Sequence, residues 1–232
     1  MDFDDVAANY AQEVDGAVAF SGQPQGFYLD VKARQIEEAI RDRLGEPSAV
    51  RALEVGCGPG LMQLRLRRHI GRLWGMDLSL GCLAQAGQAG ARAGDPSGLV
   101  AGDGQHAPFA GGSFDLVFAV CVLHHVPPGA RRDAVVAEMA RLLRPGGLVA
   151  IWEHNPWNPL TRRVVARCSF DRDASLLSLA ETRRLLRRAG LSRIESRYGL
   201  FFPWRGRGWR RAERLLAQVP LGAQFVALAS RP

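Results

Sequence analysis

At 232 residues the chain can form one domain with decorations and bury a sizeable core. Its 47% hydrophobic content suits a globular protein, and no apolar run is long enough for a membrane-spanning helix. The net charge of +7 would suit an anionic partner, but Lys32 is the only lysine among the basic residues. An arginine excess beside so much Ala and Gly fits a coding bias equally well, so charge alone does not select nucleic acid. The opening MDFDD is acidic where a secretory leader would be basic and then apolar, so a cytoplasmic location is expected. Cys57, Cys82, Cys121 and Cys168 are far apart and lack metal-binding spacing, so free thiols and no metal site are expected.

Residues 1–29 carry Phe3, Tyr10, Phe20, Phe27 and Tyr28 on a weakly periodic stretch, which reads as a lid or cap before a main domain over 30–232. A helix is predicted from Tyr28 to Leu44, stopped by Gly45 and Pro47. Strands and helices then alternate. Strand VRALEV precedes helix LMQLRLRRH, and strand GRLWGMD precedes helix LGCLAQAGQAGARA. Strands GLVAGD and SFDLVFAVCVL follow, then helix RRDAVVAEMARLLR, stopped by PGG, and strand GLVAIW. This order predicts an α/β fold with a mostly parallel sheet covered on both faces. Residues 155–175 form an insertion, and a helix opening with a Ser178-x-x-Glu181 capping box closes at Gly190. Strand SRIESRYGLFF, a basic helix within 203–218 and strand GAQFVALASR end the chain.

LEVGCGPG lies between the first strand and its helix, where open α/β sheets bind ligands. Glycines allow positive φ and close backbone approach, and helix N-terminal amides face the ligand. A dinucleotide site would want G-x-G-x-x-G, but Leu61 stands at its third glycine position. Glu54 precedes the turn, Asp77 ends the second strand and Asp103 the third, so three acids share one rim of the sheet. An acid at Asp77's position can accept hydrogen bonds from ribose hydroxyls.

With these residues the chain resembles the class I S-adenosylmethionine-dependent methyltransferases of the small-molecule, quinone and biosynthetic type. Their E/D-x-G-x-G-x-G motif appears as Glu54-Val-Gly56-Cys57-Gly58-Pro-Gly60. APFAGGSFDLV, VLHHV and RLLRPGG also match the family, and FDDVAANY resembles the start of quinone methyltransferases. The resemblance implies a Rossmann-like, seven-stranded sheet with an antiparallel last strand and an N-terminal helical lid. It implies S-adenosylmethionine as cofactor and S-adenosylhomocysteine as product. Gly56, Cys57, Gly58 and Gly60 would lie against the methionine part, with Glu54 beside them. Asp77 and Leu78 would hold the ribose, Asp103, Gly104 and Gln105 would frame the adenine, and Val120 and Tyr10 would complete the cofactor site. The partner would be a small-molecule acceptor and the assembly a monomer or homodimer.

EHNPWNPLTRR, residues 153–163, leaves the fifth strand beside the expected methyl group. His154, Glu153 and His125 are the catalytic candidates; Trp157, Arg162, His124 and Tyr28 are the substrate-side candidates. Glu153 and His154 alternate to opposite sides of the strand, and an ordinary histidine pKa suits a general base. Asn155 and Asn158 precede prolines, which favours extended backbone and a stiff ledge displaying Trp157. The (N/D)PP(Y/F) motif of exocyclic-amine methylases of nucleic-acid bases is replaced by AVCVL, and Cys121 reads as a buried structural thiol. A transfer-RNA or RNA base methyltransferase remains the alternative, with a non-catalytic cofactor-binding subunit as a third reading. Residues 201–214 interleave Trp204 and Trp209 with arginines, a composition open to RNA, to peripheral contact with an anionic membrane or to a solvated helix.

Overall fold

The computed structural model describes residues 9–94, 98–204 and 206–232. Phe3 and most of the FDDVAANY stretch lie outside the described residues. The strands are β1 (Arg51–Val55), β2 (Arg72–Asp77), β3 (Gly98–Ala101), β4 (Phe114–Val120), β5 (Leu143–His154), β6 (Ser192–Gly199) and β7 (Gln224–Ser230). The helices are α1 (Tyr10–Val18), α2 (Gln25–Arg43), α3 (Gln63–Leu66), α4 (Leu80–Arg92), α5 (Ala130–Leu142), α6 (Pro159–Val165), α7 (Leu179–Arg188) and α8 (Arg207–Leu216).

The sheet order is β3-β2-β1-β4-β5-β7-β6, parallel except for β7, which runs antiparallel to both β5 and β6. Chain direction across the sheet reverses between β1 and β4, and such switch points open a crevice at the strands' carboxyl ends. The central strands are buried on both faces, as a helix-covered parallel sheet requires. Val117, Val149, Ile151 and Phe225 pack with Val135 and Met139 of α5 and Leu185 and Leu186 of α7. Leu116, Phe118, Trp152 and Val226 pack on the other face with Leu29, Ile36 and Ile40 of α2 and Leu66 of α3.

Several boundaries differ from the sequence expectation. The helix expected over 61–69 shrinks to α3, and Arg67 instead bonds the carbonyls of Gly90 and Ala93 at the end of α4. β4 stops at Val120, because Cys121 turns with a left-handed φ of 57°. β5 begins four residues before the expected Gly147, since Gly146 N donates to Arg231 O and Arg231 N to Gly147 O. It also extends through Glu153 and His154, which pair with Phe225 and Gln224 of β7. Ser178 caps α7 by accepting from Glu181 N at 3.1 Å, but the Glu181 carboxylate turns to Arg132, so only half of the capping box forms.

The described part of the lid is ordered against residues 168–171. Tyr10 stacks on Phe170 with ring centroids 4.9 Å apart, and Glu13 accepts from Ser169 N and Oγ at 2.8 and 2.9 Å. No helix among the described residues is long and apolar enough to cross a membrane.

Candidate active site

A cavity of about 920 Å³ opens at the carboxyl ends of β1, β2, β4 and β5, beneath α1 and the start of α2. Gly56, Gly58 and Gly60 all have positive φ, so the β1–α3 turn presents backbone to it. A Cβ on Gly56 would strike the Val122 side chain at 2.6 Å, and one on Gly60 would meet Ala86 at 2.8 Å. At Gly58 there is open space within 4 Å, as expected where the turn faces the cavity.

Asp77 sets the turn against β2: its Oδ2 accepts from Gly58 N at 2.7 Å and its Oδ1 from Ser79 N at 2.9 Å. A carboxylate has about four lone-pair sites, so capacity for further donors remains. Asp103 accepts from Gln105 N and Nε2, folding the Gln105 side chain onto it at the cavity's edge beyond β3. Glu54 is buried and accepts from Gln63 Nε2 at 2.8 Å; burial pushes its carboxyl up to about 8. Tyr10, Cys57, Leu78, Gly104 and Val120 line the same cavity, as does Tyr28 from the substrate-side set, whereas Gly60 lies outside the lining against Ala86.

The histidines and acids beside β4 and β5 are arranged differently from the sequence expectation. Glu153 is fully buried, lies on the α5–α7 side of the sheet and is absent from the cavity lining. Its Oε1 accepts from Val122 N and Leu123 N at 3.0 and 2.6 Å, and its Oε2 from His124 Nδ1 at 2.7 Å. His124 Nε2 reaches Asp171 Oδ1 at 3.3 Å, so the imidazole is held between two carboxylates. Burial opposes its charge, but Glu153 and Asp171 prevail and raise His124 to about 10. Burial likewise opposes the Glu153 charge, but His124 and the two amides hold it down at about 2. The Glu153 side chain thus ties the β4 exit to β5 and lies outside the cavity lining, and both His124 ring nitrogens lie against carboxylates.

His124, His125 and His154 all line the cavity. Burial and the neighbouring His124 charge lower His125 to about 4 and His154 to about 3. That corrects the expectation of an ordinary histidine pKa at 154: both rings stay neutral at physiological pH and serve as hydrogen-bonding groups. His124, His125 and Asp171 also bring ligand atoms within 4.8 Å of one another, a grouping that cysteine spacing could not disclose.

Trp157 and Arg162 are exposed and lie outside the cavity lining. Asn155 anchors the ledge to Pro220 O and Gly222 O, while Asn158, in extended backbone, donates to Leu221 O and caps α6 by accepting from Thr161 N. Cys121 is not a sealed core thiol; it is partly exposed and lines the cavity with Lys32 and Gln224, two residues sequence reasoning passed over. Phe20, Leu160 and Trp204 form an exposed apolar rim. Phe202, Trp204 and Trp209 pack on one another with centroids 4.6–5.9 Å apart, so their faces are partly occupied by each other.

Residues 53–151 match the family model described as a methyltransferase domain. The methyltransferase GfsG of Streptomyces halstedii is 32% identical over 168 residues, 69% of this chain and 59% of that protein. A demethylmenaquinone methyltransferase of Parafrankia sp. is 32% identical over 176 residues, 68% of this chain and 64% of that protein. The chain thus spans less than two thirds of the length of these curated relatives. A SAM-dependent methyltransferase structure from Thermotoga maritima superposes with a TM-score of 0.63 at 17% identity, covering 89% of this chain and 92% of that one. Phosphoethanolamine N-methyltransferase 2 of Haemonchus contortus, solved with S-adenosyl-L-methionine, gives 0.62 at 19% identity, covering 86% of this chain and 52% of that one. Residues 53–151 thus carry a methyltransferase domain, in a chain that shares its fold with SAM-dependent methyltransferase structures.

Proposed function

We propose that the protein binds S-adenosylmethionine and transfers its methyl group to a small, largely apolar acceptor, leaving S-adenosylhomocysteine. The observation that carries this reading is the convergence of the Gly56–Gly60 turn, Asp77 and Asp103 on one deep cavity at the sheet's switch point. The donor set fits the cofactor. Asp77 has lone pairs left for ribose hydroxyls, the open backbone at Gly58 allows close approach, and Glu54 lines the cavity with a carboxyl that a cationic amino group would drive to ionise against its burial.

The cofactor, when bound, supplies an electrophilic sulfonium methyl carbon. The chain's own work is to orient the acceptor and keep water from the reacting atoms. The α1 lid, fastened to 168–171 by Glu13 and Tyr10, covers the cavity and restricts solvent. His154, neutral and lining the cavity, has one ring nitrogen near Gln224 Nε2 and a second that can hydrogen-bond the acceptor, while His125 lines the cavity with its Nε2 3.3 Å from Asp171. The apolar rim of Phe20, Leu160 and Trp204 suits an acceptor with a sizeable hydrophobic body.

Titration calorimetry with S-adenosylhomocysteine tests the cofactor assignment. The wild type should bind one equivalent, and Asp77→Ala should weaken binding at least about tenfold, the scale of one lost charge-assisted hydrogen bond. Unchanged affinity in Asp77→Ala would overturn the placement.

A further inference from the structure

Lys32 is the only lysine in the chain, and it sits on the buried stripe of α2 with Leu29, Ala33, Ile36 and Ile40. It is only 6% exposed, and its Nζ has a single hydrogen-bond partner among the described residues, the Cys121 sulfur at 3.5 Å. A thiol is a weak acceptor, and a buried ammonium is costly unless it is paired. No described carboxylate forms an ion pair with it.

The neighbouring groups point the same way. Cys121, at the β4 exit, holds a strained left-handed φ, a feature that persists where surrounding structure enforces it and clusters at functional sites. Gln224 Nε2 lies 3.5 Å from Cys121 Sγ and 3.3 Å from His154 Nδ1, while Gln224 Oε1 is buried without a partner. As oriented, the orphan is an acceptor; with the amide turned over, Oε1 faces His154 Nδ1 and Cys121 Sγ and the orphan becomes an NH₂ donor, the form an anionic oxygen would select. Lys32, Cys121, His154 and Gln224 all line the cavity, at the ends of β4, β5 and β7 and away from Asp77 and Asp103. The hydrogen-bonding capacity here exceeds what the chain itself satisfies, and the surplus includes a full positive charge.

We propose that Lys32, with Gln224 and His154 beside it, binds an anionic oxygen of the methyl acceptor: a phenolate, an enolate or a carboxylate. This rests on the methyltransferase reading and names the acceptor class. Lys32 acts as a binding residue: its ammonium selects the ionised acceptor and fixes its oxygen within the cavity.

The test measures binding of 2-naphthol, 2-naphthoate and naphthalene to the full chain saturated with S-adenosylhomocysteine. Wild type should bind at least one of the two oxygen-bearing probes at least tenfold more tightly than naphthalene, and the tighter one tells phenol from carboxylate. Lys32→Met should abolish that preference while naphthalene affinity stays within twofold, and Lys32→Arg should keep part of it. Gln224→Leu, which leaves α2 untouched, should also reduce the preference and serves if Lys32→Met does not fold. Absence of any preference in the wild type, or its full survival in Lys32→Met, overturns the proposal. It is also overturned if Lys32→Met weakens S-adenosylhomocysteine but not 5′-methylthioadenosine, which lacks the carboxylate, and leaves the naphthyl probes unaffected; Lys32 would then serve the cofactor. Failure of the wild type to bind S-adenosylhomocysteine would instead sink the methyltransferase reading.

Discussion

Replacing Glu153 by leucine separates scaffolding from catalysis at the β4–β5 exit. In the wild type the carboxylate takes the amides of Val122 and Leu123 and the His124 imidazolium, all without solvent. Leucine would leave His124 with only the longer Asp171 contact and orphan two amides. Removing one partner of a buried charge pair costs about 3–5 kcal/mol. For a chain of this size each kcal/mol lowers Tm by roughly 2–4 °C, so a loss of about 6–20 °C is expected by thermal melting. Glu153→Gln keeps an oxygen for the two amides and should cost about 1–3 kcal/mol. The pH dependence carries its own sign. Glu153, with a native pKa of about 2 against 4.5, contributes stability above 4.5 that is lost as pH falls towards 2. His124, raised from 6.5 to about 10, contributes stability below 6.5 that is lost as pH rises through 10. The gap between wild type and Glu153→Leu should therefore be widest near pH 5–6 and narrow on either side. A Glu153→Leu protein that melts within about 2 °C of wild type but fails to transfer methyl would refute the scaffold assignment.

Gly60→Ala must place a Cβ 2.8 Å from Ala86 at a φ of 77°, so it should lower stability by about 1–3 kcal/mol and weaken S-adenosylhomocysteine binding. Gly58→Ala has the φ strain without the clash and should melt closer to wild type; equal melting losses in urea titrations would contradict this turn geometry. With His125 near 4 and His154 near 3, kcat/KM should show no histidine limb between pH 5 and 8. A rise through pH 6.5 would show one of these rings acting as an ordinary general base.

Much of the sheet was legible because its signals are local. LEVGCGPG combines a buried strand with glycines that need positive φ; Asp77 ends its strand and Asp103 follows β3 by two residues. The acids and glycines that meet at the cavity follow from those positions alone. The acceptor side was less legible, since its residues meet only through tertiary packing. Asp171 ends a short 3-10 helix, Ser169–Asp171, that carries no motif, yet it supplies the second carboxylate to His124. Lys32 sits in a helical stripe where a lone lysine reads as tolerated polarity, and its burial appears only when α2 packs on the sheet. Trp157 looked like a pocket wall from the NPWNP spacing. The side chain of Asn155, drawn to the 220–222 carbonyls, fixes that ledge with Trp157 outside the cavity lining. Glu153 and His154 were correctly put on opposite sides of a strand. Which side was the core depended on β7, a partner some 70 residues further along the chain.

The most direct test of the central claim is methyl transfer itself. Purified protein is incubated with methyl-labelled S-adenosylmethionine and a cell extract divided into small-molecule, lipid and RNA fractions. The account predicts label in an organic-soluble small molecule, lost in the Asp77→Ala variant. Label confined to RNA, or none in any fraction despite bound S-adenosylhomocysteine, would contradict it.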